Sequence, residues 1–205
     1  MISNQSKWQR YRTSLLKARS LLDQATLRYA FENGENPDCG YIITNNETSH
    51  TNNTDCSSLY DFYKKALNVV KVCESNAYEN GCIPEYEGID TIYKKNNPSI
   101  SDDDVIQATS GCGGWKKSSI KIGKAIVLAD GMIFFPYGNF MQPLMAVDLN
   151  GQAGPNKWGV DIHSFALYEK EKYTQPKWQP LYGGCEPVES GGVYTKALLY
   201  NKNYM

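Results

Sequence analysis

The sequence predicts an α+β fold in which helices come first and antiparallel strands follow. Apolar residues recur at three- and four-residue steps near the N-terminus, as they do on one face of a long helix. A second helical pattern follows a polar loop, and short apolar runs joined by turn residues begin after Ser119. We therefore expect a long N-terminal α-helix packed on an antiparallel β-sheet.

The bulk composition is that of a folded globular protein. The chain has 205 residues, of which 41% are hydrophobic and 12% are aromatic, and this apolar content is enough to build a core. The formal net charge of -1 argues against a dominant basic surface for nucleic acid or acidic lipid. No apolar run approaches the ~20 residues that span a bilayer. We divide the chain into an N-terminal region, 1–115, and a C-terminal sheet region, 116–205.

The first segment predicts an amphipathic helix from Ser6 to Phe31. At 1.5 Å per residue this helix would be about 39 Å long. The glycines and proline of ENGENPDCG end it. Basic residues fall largely between the apolar ones, so the opposite face would be cationic. The predicted apolar face consists of Trp8, Tyr11, Leu15, Ala18, Leu22, Ala25 and Tyr29.

Two shorter helices are predicted before the strands. The first runs from about Asp55 to Ser75, and Ser58 with Asp61 three residues later resembles a capping box. Its apolar face consists of Leu59, Phe62, Ala66, Val69 and Cys73. The second lies around 101–109 and has three aspartates in its first turn, where the helix dipole stabilises negative charge.

The second half of the chain predicts antiparallel strands. In KAIVLADGMIFF two apolar runs meet at Asp130-Gly131, which is a strong signal for a hairpin with a two-residue loop. The other strand candidates are PLMAVDL at 143–149, VDIHSFALY at 160–168 and TKALLYN at 195–201.

The connection at 148–161 could be a metal loop, a phosphate cradle or a turn. Its oxygen donors are Asp148, Asn150, Asn156 and Asp161. A calcium loop places several carboxylates at close alternating positions, and Pro155 and the wide gap before Asp161 break that pattern. The chain has no GxxxxGK[ST] or GxGxxG motif to support a phosphate loop. We interpret the segment as a turn in which Asn150-Gly151 supplies positive φ.

Six cysteines leave two interpretations, a structural zinc site or disulfides. Cys39, Cys82 and Cys112 each have a glycine neighbour, which frees the backbone to wrap a tetrahedral zinc ion, so these three are candidate thiolate ligands. The fourth ligand would be Cys73, His50 or a carboxylate. The alternative is a local Cys73–Cys82 disulfide that closes a short loop, with the other cysteines free or paired.

One pair of residues fits an enzyme. Cys112 lies in SGCGGW, which is loosely similar to the glycine-flanked cysteine of thiol proteases, and His163 is a conceivable base. The specific local signature of those proteases is absent, and a glycine-flanked cysteine is commonly structural. We therefore expect the chain not to be an enzyme.

Several stretches resemble type IV pilin-like proteins. KAIVLADGMIFF followed by VDLNGQAGPNKWGVDIHSFAL is similar to the pilin sheet, in which an LADG hairpin precedes D-x-N-G-x-x-G-P-N-x-x-G-x-D. LLKARSLLDQATLRYAFENG resembles the solvent-exposed half of the long pilin helix. YDFYKKALNVVKVCESNAYENGCIPEY and YTKALLYNKNYM also fit a large pilin-like subfamily, and Gram-positive minor pilins are the most similar group.

The resemblance implies a pilin-like fold and an apolar membrane helix with a prepilin peptidase site upstream of Ser3. It also implies a second pilin-like lobe, because the second helix and about fifty residues before the LADG hairpin exceed a minimal pilin head. That lobe would pair the second helix with strands of its own. Many pilins staple the C-terminal region with a cysteine pair, but Cys185 has no cysteine at the expected place near Val193.

The function implied by the resemblance is structural. The chain would be a minor pilin on an extracellular type IV pilus, acting in adhesion, motility or aggregation. Its partners would be other pilin subunits and a host-cell or surface receptor, and it would meet the membrane only through the upstream helix. The alternative is a pseudopilin of a type II-like secretion system.

Overall fold

The computed structural model describes residues 4–37, 41–44, 47–50, 56–136, 143–168, 176–181 and 184–201. In these ranges the helices are α1 (Asn4–Asn33), α2 (Ser57–Ala66), α3 (Ile89–Asn96), α4 (Asp102–Ala108), α5 (Lys117–Ile122) and α6 (Thr195–Tyr200). The strands are β1 (Tyr41–Thr44), β2 (Glu47–His50), β3 (Val69–Cys73), β4 (Ala125–Leu128), β5 (Ile133–Pro136), β6 (Leu144–Asp148), β7 (Ile162–Tyr168) and β8 (Lys177–Pro180). Short 3₁₀ turns lie at Ser110–Trp115 and Gly151–Ala153.

Six strands form one antiparallel sheet in the order β3-β4-β5-β6-β7-β8. Each strand pairs with the next strand in sequence, so the sheet is a meander. Most of its connections are short, but the one between β3 and β4 is long and contains α3, α4 and α5. Strands β1 and β2 pair with each other in a separate hairpin. The predicted α+β class, a long helix on an antiparallel sheet, is confirmed.

Helix α1 forms as the periodicity predicts and extends two residues beyond the predicted range at each end. The predicted apolar face is the face that packs on the sheet. Trp8 and Tyr11 are half-buried against the same core. The buried members of the face are Leu15, Ala18, Leu22, Ala25 and Tyr29.

Both faces of the sheet are covered, because side chains alternate along each strand between two apolar clusters. On β5, Phe134 belongs to the cluster beneath α1, α2 and α6, whereas Ile133 and Phe135 belong to the cluster on the opposite face. We call these the α1-side core and the opposite core. The sheet is therefore the middle layer of three.

The opposite core is built mainly from loops and short helices. Its centre is a group of aromatic rings, in which Trp115, Trp158 and Phe135 lie edge to face with centroids 5.3 to 6.2 Å apart. Edge-to-face contacts place the positive ring edge on the negative ring face and add to the free energy gained by burial. This layer needs little regular secondary structure because large rings fill it.

The predicted second helix is wrong in its C-terminal half. Helix α2 ends at Ala66, and Leu67 already has extended backbone angles. The residues from Val69 onwards form β3, which pairs with β4. Three valines in this stretch favour a strand because β-branched side chains suit a pleated surface. Pairing with a distant strand therefore outweighs the helical spacing.

The predicted capping box at Ser58 and Asp61 is also wrong. The residue that precedes α2 is Cys56, which has a left-handed φ of 49° and no capping side-chain hydrogen bond. Ser58 lies inside the first turn, with its hydroxyl 3.2 Å from the Tyr29 hydroxyl of α1. Asp61 forms an ion pair with Lys64.

The predicted strand at 195–201 is a helix, α6. Alanine and leucine favour helix in this stretch, and Leu198 and Leu199 enter the α1-side core from it. Glu186 stabilises its start, because its Oε1 accepts a hydrogen bond from the Thr195 N–H at 2.8 Å. Arg12 of α1 donates to the Leu199 carbonyl at its end, at 3.2 Å.

The predicted third helix is confirmed as α4. The Ser101 hydroxyl accepts a hydrogen bond from the Asp104 N–H at 3.1 Å, so Ser101 is the N-cap. All three aspartates lie in the first turn, as predicted.

The hairpin at Asp130-Gly131 is confirmed, but its loop has three residues. The Leu128 carbonyl accepts from the Gly131 N–H, and the Leu128 N–H donates to the Met132 carbonyl, so Leu128 and Met132 close the loop. Gly131 adopts a φ of 91°, which is the left-handed position that a three-residue hairpin loop requires.

The strand that follows the second helix belongs to the main sheet rather than to a sheet of its own. Strand β3 follows α2 directly and joins the same six-stranded sheet as the C-terminal strands. Helix α2 packs against α1 and contributes to the α1-side core. A boundary at 115/116 would therefore divide the sheet between two regions.

Helix α1 also covers the outer edge of β8. The Asp23 carboxylate accepts from the Trp178 N–H at 2.8 Å, and Arg19 Nε donates to the Trp178 carbonyl at 2.8 Å. An edge strand exposes backbone groups that would otherwise pair with another chain. Asp23 and Arg19 are hydrogen-bonded to two of these backbone groups on β8, so those groups cannot pair with another chain.

Three polar side chains meet inside the α1-side core and join α1, α2 and β8. The Thr26 hydroxyl lies 2.6 Å from the Tyr63 hydroxyl. The Trp178 indole N–H donates to both oxygens, at 2.9 Å and 3.0 Å. Thr26 also donates to the Leu22 carbonyl at 2.7 Å. Buried polar groups are stable only when they are hydrogen-bonded, so this triad specifies how the three elements fit together.

We expect Thr26→Val to lower the free energy of unfolding by about 1–2 kcal/mol, because it leaves buried Tyr63 with one hydrogen-bond partner fewer. The matched control is Thr13→Val on the same helix, where an exposed hydroxyl bonds to the Gln9 carbonyl at 2.9 Å. The control should change stability by less than about 0.5 kcal/mol. Urea unfolding measures both, and equal losses would contradict the role of the triad.

Candidate functional site

Two disulfides stabilise the opposite core. Cys73 at the end of β3 is bonded to Cys82 in the following turn, with Cα atoms 6.2 Å apart. Cys112 in the first 3₁₀ turn is bonded to Cys185, with Cα atoms 5.2 Å apart across a sequence separation of 73. Cys56 is disulfide-bonded as well. Among the described residues, no cysteine is free.

The structure pairs two of the predicted zinc ligands, Cys82 and Cys112, with other cysteines. The alternative interpretation of a local Cys73–Cys82 disulfide is confirmed, whereas Cys112 has a partner, Cys185, that the sequence did not indicate. Cys39 and the side chain of His50 lie outside the described part of the chain.

A cysteine binds zinc as a thiolate, so Cys73, Cys82 and Cys112 cannot act as zinc ligands in the oxidised state that the structure describes. Within the described ranges, no group of three or more His, Cys, Asp or Glu side chains is placed to hold a metal ion. Structural zinc stays a prediction for the reduced protein, and metal analysis after reduction would test it.

The two residues of the predicted Cys/His pair lie on different faces of the sheet. His163 alternates with Ile162 on β7, and Ile162 and Cys112 belong to the opposite core. The His163 ring lies 3.1 Å from the Thr195 hydroxyl and 3.3 Å from the Val160 carbonyl. Burial lowers the pKa of His163 to about 4. In this state the Cys112 sulfur is bonded to Cys185 and offers no nucleophile to His163.

The connection between β6 and β7 forms the turn that the sequence predicts, and two carboxylates hold it. Asp148 Oδ1 accepts from the N–H groups of Asn150 at 3.1 Å and Gly151 at 2.7 Å. Asp161 accepts from the N–H groups of Asn156 at 2.9 Å and Lys157 at 2.7 Å. The two carboxylates that suggested a metal loop therefore bind the backbone of the loop itself.

Gly151 has a specific reason to be glycine. Its φ is 57°, and a Cβ atom at this position would lie 2.2 Å from the Gly131 carbonyl oxygen in the β4–β5 hairpin. The left-handed angle and the close approach both exclude a side chain. The predicted positive φ thus belongs to Gly151, whereas Asn150 has a φ of −136°. The turn and the LADG hairpin are packed directly against each other.

The sequence did not reveal that Tyr86 contacts this turn. Its hydroxyl donates to Asp148 Oδ2 at 2.8 Å across 62 residues of sequence. Burial raises the pKa of Asp148 to about 7, although the hydrogen bonds from Tyr86, Asn150 and Gly151 lower it. Burial likewise raises the pKa of Glu186, which accepts from the start of α6, to about 7. Asp148 joins segments that are distant in sequence, whereas Glu186 joins the start of α6 to the loop nine residues before it.

Comparison with known proteins finds no match to this chain among models of protein families, curated proteins or solved structures. No helix in the described ranges is long and apolar enough to cross a membrane.

We expect the Cys112–Cys185 disulfide to stabilise the fold more than the Cys73–Cys82 disulfide. A cross-link that closes a longer loop removes more entropy from the unfolded chain, roughly 4 kcal/mol for the first disulfide and about 3 kcal/mol for the second. Urea unfolding of the Cys112→Ser/Cys185→Ser and Cys73→Ser/Cys82→Ser variants measures the two losses. The opposite order would contradict the expectation.

We expect Asp148→Asn to gain stability relative to wild type as the pH rises from about 4 to 7. Because the pKa of Asp148 is raised from 3.8 to about 7 in the folded protein, the unfolded chain releases this proton first and wild type loses stability across that interval. The loss is about 1.4 kcal/mol for each unit of pKa difference. Asn is neutral and keeps an oxygen for the two N–H groups of the turn.

Urea unfolding of both proteins at several pH values measures the gain. Glu186 and His163 titrate in both proteins, so their contributions cancel in the difference. A difference in unfolding free energy that stays constant from pH 4 to 7 would rule out the raised pKa.

Proposed function

We propose that the chain is a structural, non-enzymatic subunit of a type IV pilus, a minor pilin displayed outside the cell for adhesion, motility or aggregation. The observation that carries the proposal is the arrangement of α1. Its inner face packs on an antiparallel sheet, while its outer face carries exposed apolar side chains. The LADG hairpin and the β6–β7 turn that contains GPN, the two motifs of the resemblance, are packed against each other through Gly131 and Gly151.

The outer face of α1 supports contact with a neighbouring subunit. Leu16, Leu27 and Phe31 are 40%, 37% and 88% exposed. At 3.6 residues per turn these three positions fall within about 60° of one another, opposite the buried face. Single exposed apolar residues are common on protein surfaces, but an aligned group on a long helix indicates a packing surface.

The disulfides support a location outside the cell. Such bonds persist in oxidising compartments and are rare in the cytosol, and the Cys73–Cys82 and Cys112–Cys185 pairs are both formed. We therefore propose that the protein is extracellular and that its partners are other pilin subunits and a cell-surface receptor. A pseudopilin would use the same helix and sheet, so the test must show which assembly contains the chain.

The test is immunogold labelling of cells that produce the full-length chain. We expect wild type to label surface filaments. In the Leu16→Glu/Phe31→Glu variant two charges replace apolar side chains on the outer face, so labelling should fall several-fold while the variant remains folded. The matched control is Ile106→Glu/Ile122→Glu, which charges two residues that are 60% and 64% exposed on α4 and α5. The control should label as wild type does.

Three outcomes would count against parts of the proposal. Filaments that are never labelled would contradict the pilus assignment. Labelling confined to a secretion apparatus would identify a pseudopilin. Normal labelling by the Leu16→Glu/Phe31→Glu variant would show that the outer face of α1 does not contact other subunits. Circular dichroism of each variant confirms that loss of labelling is not loss of folding.

A further inference from the structure

A groove lies between the first turns of α1 and the turn after β6. Its volume is about 530 Å³, which is within the usual range of small-molecule sites. Helix α1 contributes Lys7, Arg10, Tyr11 and Ser14 to the lining, and the turn contributes Leu149 and Asn150. The four helical residues occupy positions i, i+3, i+4 and i+7, so they share one side of the helix.

The groove is cationic because Lys7 and Arg10 have no acidic partner among the described residues. The other cations of α1 have partners there. Lys17 pairs with Asp130 and Arg28 with Glu32, each at 2.6 Å. The partners of Arg12 and Arg19 are the Leu199 carbonyl and the Trp178 carbonyl, respectively. Lys7 lies over the Tyr11 ring, 5.7 Å from its centroid, which leaves its charge available to a ligand.

The nearest buried carboxylates do not line the groove. The oxygens of Asp148 and Asp161 accept hydrogen bonds from the N–H groups of the turn, and Asp148 also accepts from Tyr86. Burial raises the pKa of Tyr11, and the negative charge of Asp161 raises it further. Tyr11 therefore keeps its proton and offers a neutral hydroxyl as a hydrogen-bond donor.

These donors fit an organic phosphate. Arginine presents a planar fork of N–H groups, and lysine adds a point charge, a combination that suits the several oxygens of a phosphate. The hydroxyls of Tyr11 and Ser14 add two neutral donors. Leu149 and the Tyr11 ring supply apolar surface for the body of the ligand. The groove is much larger than a phosphate ion, so the phosphate would be attached to an organic group.

We propose that the groove between α1 and the turn after β6 binds a phosphate ester, with Lys7 and Arg10 holding the phosphate oxygens. The ester could belong to a soluble metabolite or polymer or to a lipid headgroup, because both present the same chemistry. The proposal does not require the chain to assemble into a filament. The phosphate-binding proposal and the pilin proposal can therefore be disproved separately.

The test is calorimetric titration of the protein with glycerol 3-phosphate at low ionic strength. We expect saturable binding that weakens by about tenfold or more in the Lys7→Gln/Arg10→Gln variant and declines as salt screens the charges. The matched control is Lys17→Gln/Arg28→Gln, which removes the same charge from the same helix outside the groove. The control should bind as wild type does.

Vesicles distinguish the source of the ester. The two ligands are compared by the phosphate concentration at which each binds the protein. If phosphatidylglycerol vesicles bind it at a lower phosphate concentration than glycerol 3-phosphate does, the ligand is a lipid headgroup. If glycerol 3-phosphate binds more tightly, the ligand is a soluble or polymeric ester. Absence of saturable binding to both probes would overturn the proposal. An equal loss of binding in the groove variant and the control would also overturn it, since attraction by net charge alone would then explain the binding.

Discussion

Burial of one face of α1 against the sheet is the interaction on which the rest of the structure depends. Leu15 and Leu22 are fully buried there, and each such side chain contributes about 1.5–3 kcal/mol relative to exposure. The same helix provides Thr26 to the polar triad that joins α2 and β8. It also provides Asp23 and Arg19 to the edge of β8. Displacing α1 would therefore expose a core, break a buried network and uncover a strand edge together.

The three sides of α1 have different consequences for function. The inner side is buried against the sheet and cannot contact a partner. The outer side carries Leu16, Leu27 and Phe31, which no described segment covers well. The side that faces the turn after β6 carries Lys7 and Arg10, which have no acidic partner in the part of the chain that the structure describes. The proposed contact with other subunits and the proposed phosphate site therefore use separate surfaces of one helix.

The elements that the sequence predicted correctly depend on local interactions. The spacing of apolar residues predicted α1, and Ser101 with its following aspartates predicted α4. The hairpin at Asp130-Gly131 and the turn at 148–161 follow from the backbone freedom of glycine and from carboxylates that bind nearby N–H groups. For the cysteines, the sequence offered a Cys73–Cys82 disulfide as the alternative to a zinc site, and this disulfide is present. The two cysteines are only nine positions apart, so their pairing is a local feature.

By itself, the sequence determined the class of fold, the long helix and the local turns, because those features need only neighbours within a few residues. Only the tertiary structure decided that 69–73 is a strand. The apolar spacing of this segment predicts a helix, but pairing with β4 stabilises the strand more. At 195–200 the local helix propensity of alanine and leucine and the packing of the two leucines beneath α1 both favour the helix. The Cys112–Cys185 bond and the Tyr86–Asp148 contact join residues far apart in sequence. Their partners are chosen by the packing of the opposite core, which no local pattern encodes.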